Sequence, residues 1–128
     1  MKINNMPTEA QEQEALFAWA EIRAKRIPEL ALLYHIPNGG SRHPLEAVHL
    51  KQHGVKPGIP DIFLPAPRGK YHGLYIEMKR RKGGRVSVEQ KKMLLALRDQ
   101  GYRTEVCEGW EVAKKTILEY LNAKDCTM

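Results

Sequence analysis

Three charged residues lie inside two segments that otherwise have the apolar composition of buried strands. The stretch GIPDIFLPAPRGKYHGLYIEMKR (58–80) has Asp61 in its first apolar run and Glu77 and Lys79 in its second. Side chains two residues apart on a strand point to the same face, so Glu77 and Lys79 project together. If the Pro- and Gly-rich turn between the runs lets the two segments pair, Asp61 reaches that face as well. Two carboxylates and one ammonium group then converge.

This set of charges has a chemical interpretation and a structural alternative. Burying an unpaired carboxylate costs on the order of several kcal/mol, so such a cluster persists only if its charges compensate one another or a cation joins them. Oxygen ligands without His or Cys suit Mg²⁺ or Mn²⁺, and a lysine beside such an ion can orient or help deprotonate a water. The alternative is a solvated Glu–Lys pair on an edge strand. The apolar residues between the charges and the basic loop after them favour the metal site.

The elements before this stretch follow from capping signals and apolar runs. Thr8 and Gln11 form a capping box that predicts the start of a first helix. The run LALLYHI (30–36) predicts a buried strand, which the turn PNGG ends. Pro44 suits the first turn of a second helix, and Gly54 suits its end.

The elements after it complete the fold class. IPDIFLP and LYIEMK are predicted strands, and a second capping box, Ser87 with Gln90, opens a helix that Gly101 ends. YRTEVCE is a last strand, and Trp110 begins a last amphipathic helix. The order helix, strand, helix, strand, strand, helix, strand, helix predicts a three-layer α/β domain, in which helices flank a mixed four-stranded sheet.

Composition bounds the class of protein. A chain of 128 residues is long enough for one core, so we expect a single domain over 1–128 with flexible ends at about 1–7 and 123–128. Its 21 Lys and Arg against 15 Asp and Glu favour an anionic partner. No signal peptide or membrane span is evident, which predicts a cytoplasmic protein. Cys107 and Cys126 are interpreted as reduced thiols.

Basic and polar residues around the charged trio are candidates for contacts with the phosphates of a nucleic acid. The segment NGGSRHP (38–44) offers backbone amides, a hydroxyl and a guanidinium, although an ordinary strand-to-helix turn explains it equally well. No aromatic cluster interleaves with the basic residues, so the sequence indicates recognition of duplex or branched DNA by shape, without a stacking platform. The candidate phosphate contacts are Asn38, Gly40, Ser41, Arg42, Lys56, Arg80 and Arg85.

The stretch GIPDIFLP…LYIEMKRRKGGRVSVEQ resembles the VRR-NUC branch (virus-type replication-repair nucleases) of the PD-(D/E)xK nuclease superfamily. The matching pieces are K-x-G-x-P-D at 56–61, E-x-K at 77–79 and G-R-(V/L)-S-x-x-Q at 84–90. The resemblance extends over nearly the whole chain. It implies a restriction-endonuclease-like core and a metal-dependent DNA endonuclease, and it favours phosphate contact for the segment 38–44.

The family's pattern implies a role for each matching residue. Asp61 and Glu77 would hold Mg²⁺ or Mn²⁺, with the Met78 backbone carbonyl as a third ligand. Lys79 would position the attacking water, and Gln90 would point back to the same site from the first turn of its helix.

The family also places a glutamate of the first helix near the metal, usually through water. Here Glu9 and Glu12 both fit. Glu9 shares a helix face with Leu16, and so does Glu12. We expect Glu9 to serve the metal, with Glu12 as the alternative.

Stand-alone phage-type members look like symmetric homodimers that cut four-way (Holliday) junctions. The resemblance therefore implies branched DNA as substrate, a homodimer, and a phage or prophage source in a bacterial host. We expect apolar positions on the first or last helix to form the dimer contact. The alternatives are a nuclease for linear duplex or flaps, a catalytically silent DNA-binding module, and an interaction domain for an acidic partner.

Overall fold

The computed structural model describes residues 6–37 and 44–123, which form helices around one sheet. Residues 1–5 and 124–128 lie outside this part, and with them most of the two ends expected to be flexible. No helix within the described ranges is long and apolar enough to cross a membrane. In chain order the elements are α1 (Glu9–Arg23), a 3₁₀ helix (Pro28–Leu32), β1 (Tyr34–His35), α2 (Pro44–Gln52), β2 (Ile62–Leu64), β3 (Leu74–Lys79), α3 (Val88–Asp99), β4 (Arg103–Glu108) and α4 (Trp110–Leu121).

The four strands form one mixed sheet in the order β1-β2-β3-β4. β1 with β2 and β2 with β3 are antiparallel, whereas β3 and β4 are parallel and are connected through α3. A parallel pair needs a long crossover, and α3 supplies it. The predicted mixed four-stranded sheet is confirmed.

The helices lie on both faces of this sheet. α1, α4 and the 3₁₀ helix cover one face and bury the core, whereas α3 packs on the other face against β4. The predicted three-layer α/β arrangement is therefore confirmed, although the third layer is narrow. Residues with no exposed surface in this core include Leu16, Ile62, Leu74, Ile76 and Ile117.

Both predicted capping boxes are present. The Thr8 hydroxyl accepts a hydrogen bond from Gln11 N at 3.1 Å, and Thr8 N donates to Gln11 Oε1 at 2.9 Å. Ser87 and Gln90 make the same reciprocal pair at the start of α3. Each box satisfies backbone donors that a helix start would otherwise leave unpaired, which fixes where α1 and α3 begin.

The prediction of a buried strand over LALLYHI is wrong for most of its length. The 3₁₀ helix takes the segment as far as Leu32, and only Tyr34–His35 pairs in the sheet, on an exposed edge. Pro28 suits the first turn of a helix, and Leu30 and Leu33 are buried at the three-residue spacing at which 3₁₀ side chains align. The apolar run thus follows a helical period.

Candidate active site

The strand register places the predicted charged residues on one face of the sheet. Ile62 pairs with Ile76, so Asp61, just before β2, lies opposite Glu77 on β3. Glu77 and Lys79 are two residues apart on β3 and point away from the face that holds Ile76 and Met78 in the core. α3 packs on this face, against β4.

Asp61 is held by backbone groups on both sides. Its Oδ2 accepts a hydrogen bond from Met78 N at 2.8 Å. Its carbonyl oxygen accepts from Ile36 N at 2.7 Å and from His35 Nδ1 at 2.8 Å, which requires a proton on Nδ1 of His35. In a strand the N–H and C=O of one residue point to the same side, so the Met78 carbonyl faces the edge where Asp61 lies.

Glu77 is a buried carboxylate whose polar atoms are only partly satisfied. It is 2% exposed, and its Oε2 accepts from Gln90 Nε2 at 3.0 Å and lies 3.5 Å from Lys79 Nζ. Its Oε1 is buried without a hydrogen-bond donor from the described residues. Burial, followed by the charge of Asp61 and a hydrogen bond with its carboxyl, raises the Glu77 pKa to about 8, and Lys79 only partly opposes this.

When Asp61 and Glu77 are both ionised, no proton lies between them, and Glu77 Oε1 has no hydrogen-bond donor among the described residues. Two changes can satisfy this oxygen. One is protonation, which the raised pKa describes; the other is a cation between Glu77 and Asp61. Two carboxylates and a backbone carbonyl are oxygen donors of the kind that Mg²⁺ and Mn²⁺ prefer. The residues present therefore fit such an ion. No group of three or more His, Cys, Asp or Glu side chains that could share a metal occurs within 6–37 and 44–123.

Lys79 and Gln90 complete the polar cluster. Lys79 is 8% exposed, and its Nζ donates to Gln90 Oε1 at 3.2 Å. The same oxygen accepts from Ser87 N at 2.8 Å, so the capping box that starts α3 also orients Gln90 toward Glu77 and Lys79. Gly84 lies against the lysine: a Cβ there would be 2.9 Å from Lys79 Cβ. The sequence pattern from Gly84 to Gln90 thus packs and orients the lysine of the triplet.

The two first-helix glutamates have different environments. Glu9 is exposed. Glu12 is 1% exposed, and its carboxylate accepts from Arg81 Nε at 2.8 Å and from Trp110 N at 3.1 Å. Glu12 therefore joins α1 to the turn after β3 and caps α4, whose own N-cap, Gly109, has no side chain to do so. Neither glutamate forms a metal-holding group with Asp61 and Glu77 in the described part of the chain.

Glu12→Ala is expected to lower the free energy of unfolding by about 2 kcal/mol, because it leaves Trp110 N without its acceptor and removes the ion pair between the buried Glu12 carboxylate and the half-exposed Arg81. Glu9→Ala is the matched control and should change it by less than about 0.5 kcal/mol, since Glu9 is exposed. Urea unfolding followed by circular dichroism measures both. Equal effects of the two substitutions would contradict this assignment of Glu12.

Gly58 sets the approach of the Asp61 loop to α3. Its φ is +84°, and a Cβ would lie 2.5 Å from the Glu89 carbonyl oxygen. Only glycine allows both the backbone angle and this contact. The G of the K-x-G-x-P-D pattern is therefore a packing requirement that brings Asp61 and Gln90 together.

Gly58→Ala should destabilise the fold by at least about 2 kcal/mol more than Gly54→Ala. Gly54 has a similar φ of +94°, but no atom lies within 4 Å of the position that a Cβ would take, so it reports the backbone strain alone. The difference in urea midpoint between the two variants isolates the steric contact. Identical midpoints would mean that the loop yields and that the contact is unimportant.

The predicted phosphate contacts are only partly within the described residues. Lys56, Arg80 and Arg85 are exposed, as a DNA-contacting role requires. Asn38, Gly40, Ser41 and Arg42 lie outside the described residues.

Sequence reasoning missed a group of aromatic rings on the same sheet face. Tyr34, Phe63 and Tyr75 are directly opposite one another on β1, β2 and β3, and Tyr102 packs beside them. We call these four residues the aromatic row. The absence of an aromatic cluster in the linear sequence was misleading, because the rings come from four separate segments. The spacing in the sequence could have indicated it: Phe63 is two residues from Asp61 and Tyr75 is two residues from Glu77, so each ring shares a strand face with a charged residue.

The fold and the site together define a nuclease domain of the PD-(D/E)xK type, with Asp61 before one strand and Glu77-x-Lys79 on the next. The chain belongs to the VRR-NUC family: the family model for the VRR-NUC domain matches residues 7–111. A solved structure described as "VRR_NUC domain protein" is 28% identical to this chain, with a TM-score of 0.78; the match covers 94% of this chain and 93% of that one. No curated protein matches the chain.

Proposed function

We propose that this chain is a Mg²⁺- or Mn²⁺-dependent endodeoxyribonuclease that hydrolyses phosphodiester bonds. The observation that carries the proposal is the Asp61–Glu77 pair, in which a buried carboxylate oxygen lacks a donor among the described residues and the pKa of Glu77 is raised to about 8. A protein that only bound DNA would gain nothing from such a pair. Asp61, Glu77 and the Met78 carbonyl would hold the ion, and Glu9 or Glu12 would reach it only through water.

The proposed mechanism assigns one task to each residue of the cluster. The ion, when bound, supplies Lewis-acid stabilisation of the charge that develops on the phosphate. Lys79 places its ammonium beside the Glu77 carboxylate, where it can orient the attacking water and offset negative charge. Gln90 bonds both Glu77 and Lys79, so it fixes their mutual geometry before substrate arrives.

DNA contacts would surround this cluster. Lys56, Arg80 and Arg85 supply exposed positive charge, and Asn38, Gly40, Ser41 and Arg42 are proposed as further phosphate contacts. Binding through phosphates weakens steeply with salt, so we expect affinity to fall as ionic strength rises. The cytoplasmic location expected from the sequence and the phage or prophage source expected from the resemblance belong to the same proposal.

The proposed substrate is branched DNA, a four-way junction above all. The test compares an end-labelled four-way junction, a flap and a matched linear duplex, each with Mg²⁺, Mn²⁺ or chelator. Paired symmetric cuts on the junction alone are expected. Equal cutting of all three would replace junction specificity with a general nuclease, and binding without cutting under any metal would favour the silent DNA-binding module.

A homodimer is the second part of the proposal, because symmetric cuts need two active centres. α2 contacts no other helix or strand in the described part of the chain, and Val48 on it is 54% exposed. An isolated nine-residue helix is only marginally stable in water, so α2 needs a covering surface. We therefore favour α2 over the first or last helix as the dimer contact.

Light scattering after size-exclusion chromatography tests this assignment. Val48→Glu is expected to give the monomer mass. Val112→Glu on α4, where the native side chain is 47% exposed, is the matched control and should keep the dimer mass. A dimer mass for Val48→Glu with a monomer mass for Val112→Glu would place the contact on the last helix. A monomeric wild type would exclude the dimer.

A further inference from the structure

The aromatic row is an ordered stack across the sheet. Phe63 and Tyr75 are stacked with centroids 4.3 Å apart and planes inclined by 25°. Tyr34 packs edge-on against Phe63 at 5.9 Å, and Tyr102 packs edge-on against Tyr75 at 5.2 Å. The register pairs Tyr34 with Phe63 and Phe63 with Tyr75, so the rings follow one line perpendicular to the strands.

No helix or strand of the described residues covers this line at β1, β2 or β3. On this face α3 packs against β4 and reaches β3 through Gln90, which bonds Glu77 and Lys79 beside the row. Tyr34 is 49% exposed, and Phe63, Tyr75 and Tyr102 are each partly exposed. Half-exposed aromatic rings grouped on one surface are typical of a binding site.

The aromatic row is continuous with the polar cluster of the active site. Tyr75 and Glu77 are two residues apart on β3, and Phe63 has the same relation to Asp61, so both pairs share a face. The rise of a strand puts the two lines about 6.6 Å apart. A DNA strand whose phosphate lies at Glu77 and Lys79 therefore has its adjacent nucleotide within reach of the rings.

The chemistry of the row suits a nucleobase. Phenyl and phenol rings carry no charge at neutral pH, so the row does not repel phosphate. Every base offers a face for stacking on an aromatic ring, whatever the sequence. A second copy of the chain seated on the row would instead crowd Glu77 and Lys79 and exclude substrate, so DNA is the better occupant.

We propose that the aromatic row stacks on an unpaired base of the DNA strand, next to the phosphate that is cut. The inference rests on the proposed nuclease function and deepens it. A stacked base gives a physical reason for branched DNA as substrate, since bases at a branch point can leave the helical stack at lower cost than paired ones.

The test uses Tyr34, because it lies on a two-residue edge strand and has the most exposed ring of the row. The full chain, Tyr34→Leu and Tyr34→Phe are titrated, in chelator, into DNA with a three-nucleotide gap and into the matched full duplex. A fluorescent adenine analogue in the gap reports stacking. Val112→Ala is the control on the far side of the sheet. The Val112 side chain is 47% exposed, close to the 49% of Tyr34. Thermal unfolding checks that each variant is folded.

Tyr34→Leu is expected to weaken binding to gapped DNA about tenfold and to abolish the fluorescence quenching, with no change on duplex. Tyr34→Phe and Val112→Ala should match wild type. Unchanged affinity and quenching in Tyr34→Leu would overturn the proposal and leave the row as cross-strand packing. Equal losses on both DNAs, together with a change in molar mass, would overturn it in favour of a second copy on this face. If wild type bound neither DNA, the nuclease proposal itself would fail.

Discussion

Lys79→Ala is expected to reduce the rate of DNA cleavage by about 10²- to 10⁴-fold, the usual contribution of a positioned proton-transfer or charge-stabilising group. The lysine lies 8% exposed between Glu77 and Gln90, so no solvent-exposed residue can take its place. Its removal also eliminates the positive charge that lowers the Glu77 pKa. Glu77 would then hold its proton more firmly.

The measurement is single-turnover cleavage of a labelled substrate at saturating metal, with DNA affinity measured separately. Lys115→Ala removes an exposed lysine of α4 and is the matched control, expected to cleave at the wild-type rate. Affinity of Lys79→Ala for DNA should stay close to wild type, since a buried ammonium makes little contribution to long-range attraction. A Lys79→Ala protein that cleaves within a few-fold of wild type would remove Lys79 from the mechanism.

Glu77→Gln is expected to make the metal-free protein more stable at pH 8 while abolishing cleavage. The Glu77 pKa is 4.5 in the unfolded chain and about 8 in the folded one. Below pH 4.5 the carboxyl is protonated in both states, and its full contribution to stability is present. As pH rises toward 8 the unfolded chain ionises first, so the free energy of unfolding falls, by an amount on the order of a few kcal/mol.

The groups that face Glu77 explain the direction of this effect. Asp61, from the loop before β2, disfavours a second negative charge, whereas Lys79 on β3 favours it less strongly. Gln90 on α3 is uncharged and bonds the carboxylate in the whole range. A glutamine at position 77 cannot ionise, so the unfolding free energy of the variant should stay flat between pH 5 and pH 8.

Thermal or urea unfolding at these two pH values, with chelator and then with Mn²⁺, tests the prediction. Mn²⁺ should raise the Tm of wild type more at pH 8 than at pH 5, because the ion replaces the proton, and it should leave Glu77→Gln unchanged. Glu119→Gln, an exposed position on α4, is the control and should follow wild type. A wild-type protein whose stability rises from pH 5 to pH 8 in chelator would contradict a raised pKa at Glu77.

The convergence of Asp61, Glu77 and Lys79 was predictable because it depends on local geometry. Strand alternation fixes the shared face of Glu77 and Lys79, and the turn over 65–73 lets the two strands pair. The orientation of Gln90 was implied by the family pattern, and the capping box explains it physically.

The remaining features depend on contacts between distant segments. Helical spacing alone made Glu9 and Glu12 equally good candidates for the metal site. Their environments differ because Trp110, 98 residues along the chain, donates a hydrogen bond to Glu12. The aromatic row required the register of Tyr34, whose segment was predicted as part of a longer buried strand. Packing between distant segments leaves no local pattern in the sequence, so the structure was needed to find both features.

The most direct test of a metal-dependent nuclease site is the nicking of closed-circular DNA by the wild-type chain as a function of Mn²⁺ or Mg²⁺ concentration. We predict no cutting in chelator, nicked and then linear product as metal is added, and recovery of cutting when excess metal follows chelator. Cutting that persists in chelator, or DNA that is bound but uncut at every metal concentration, would contradict a metal-dependent site at Asp61 and Glu77.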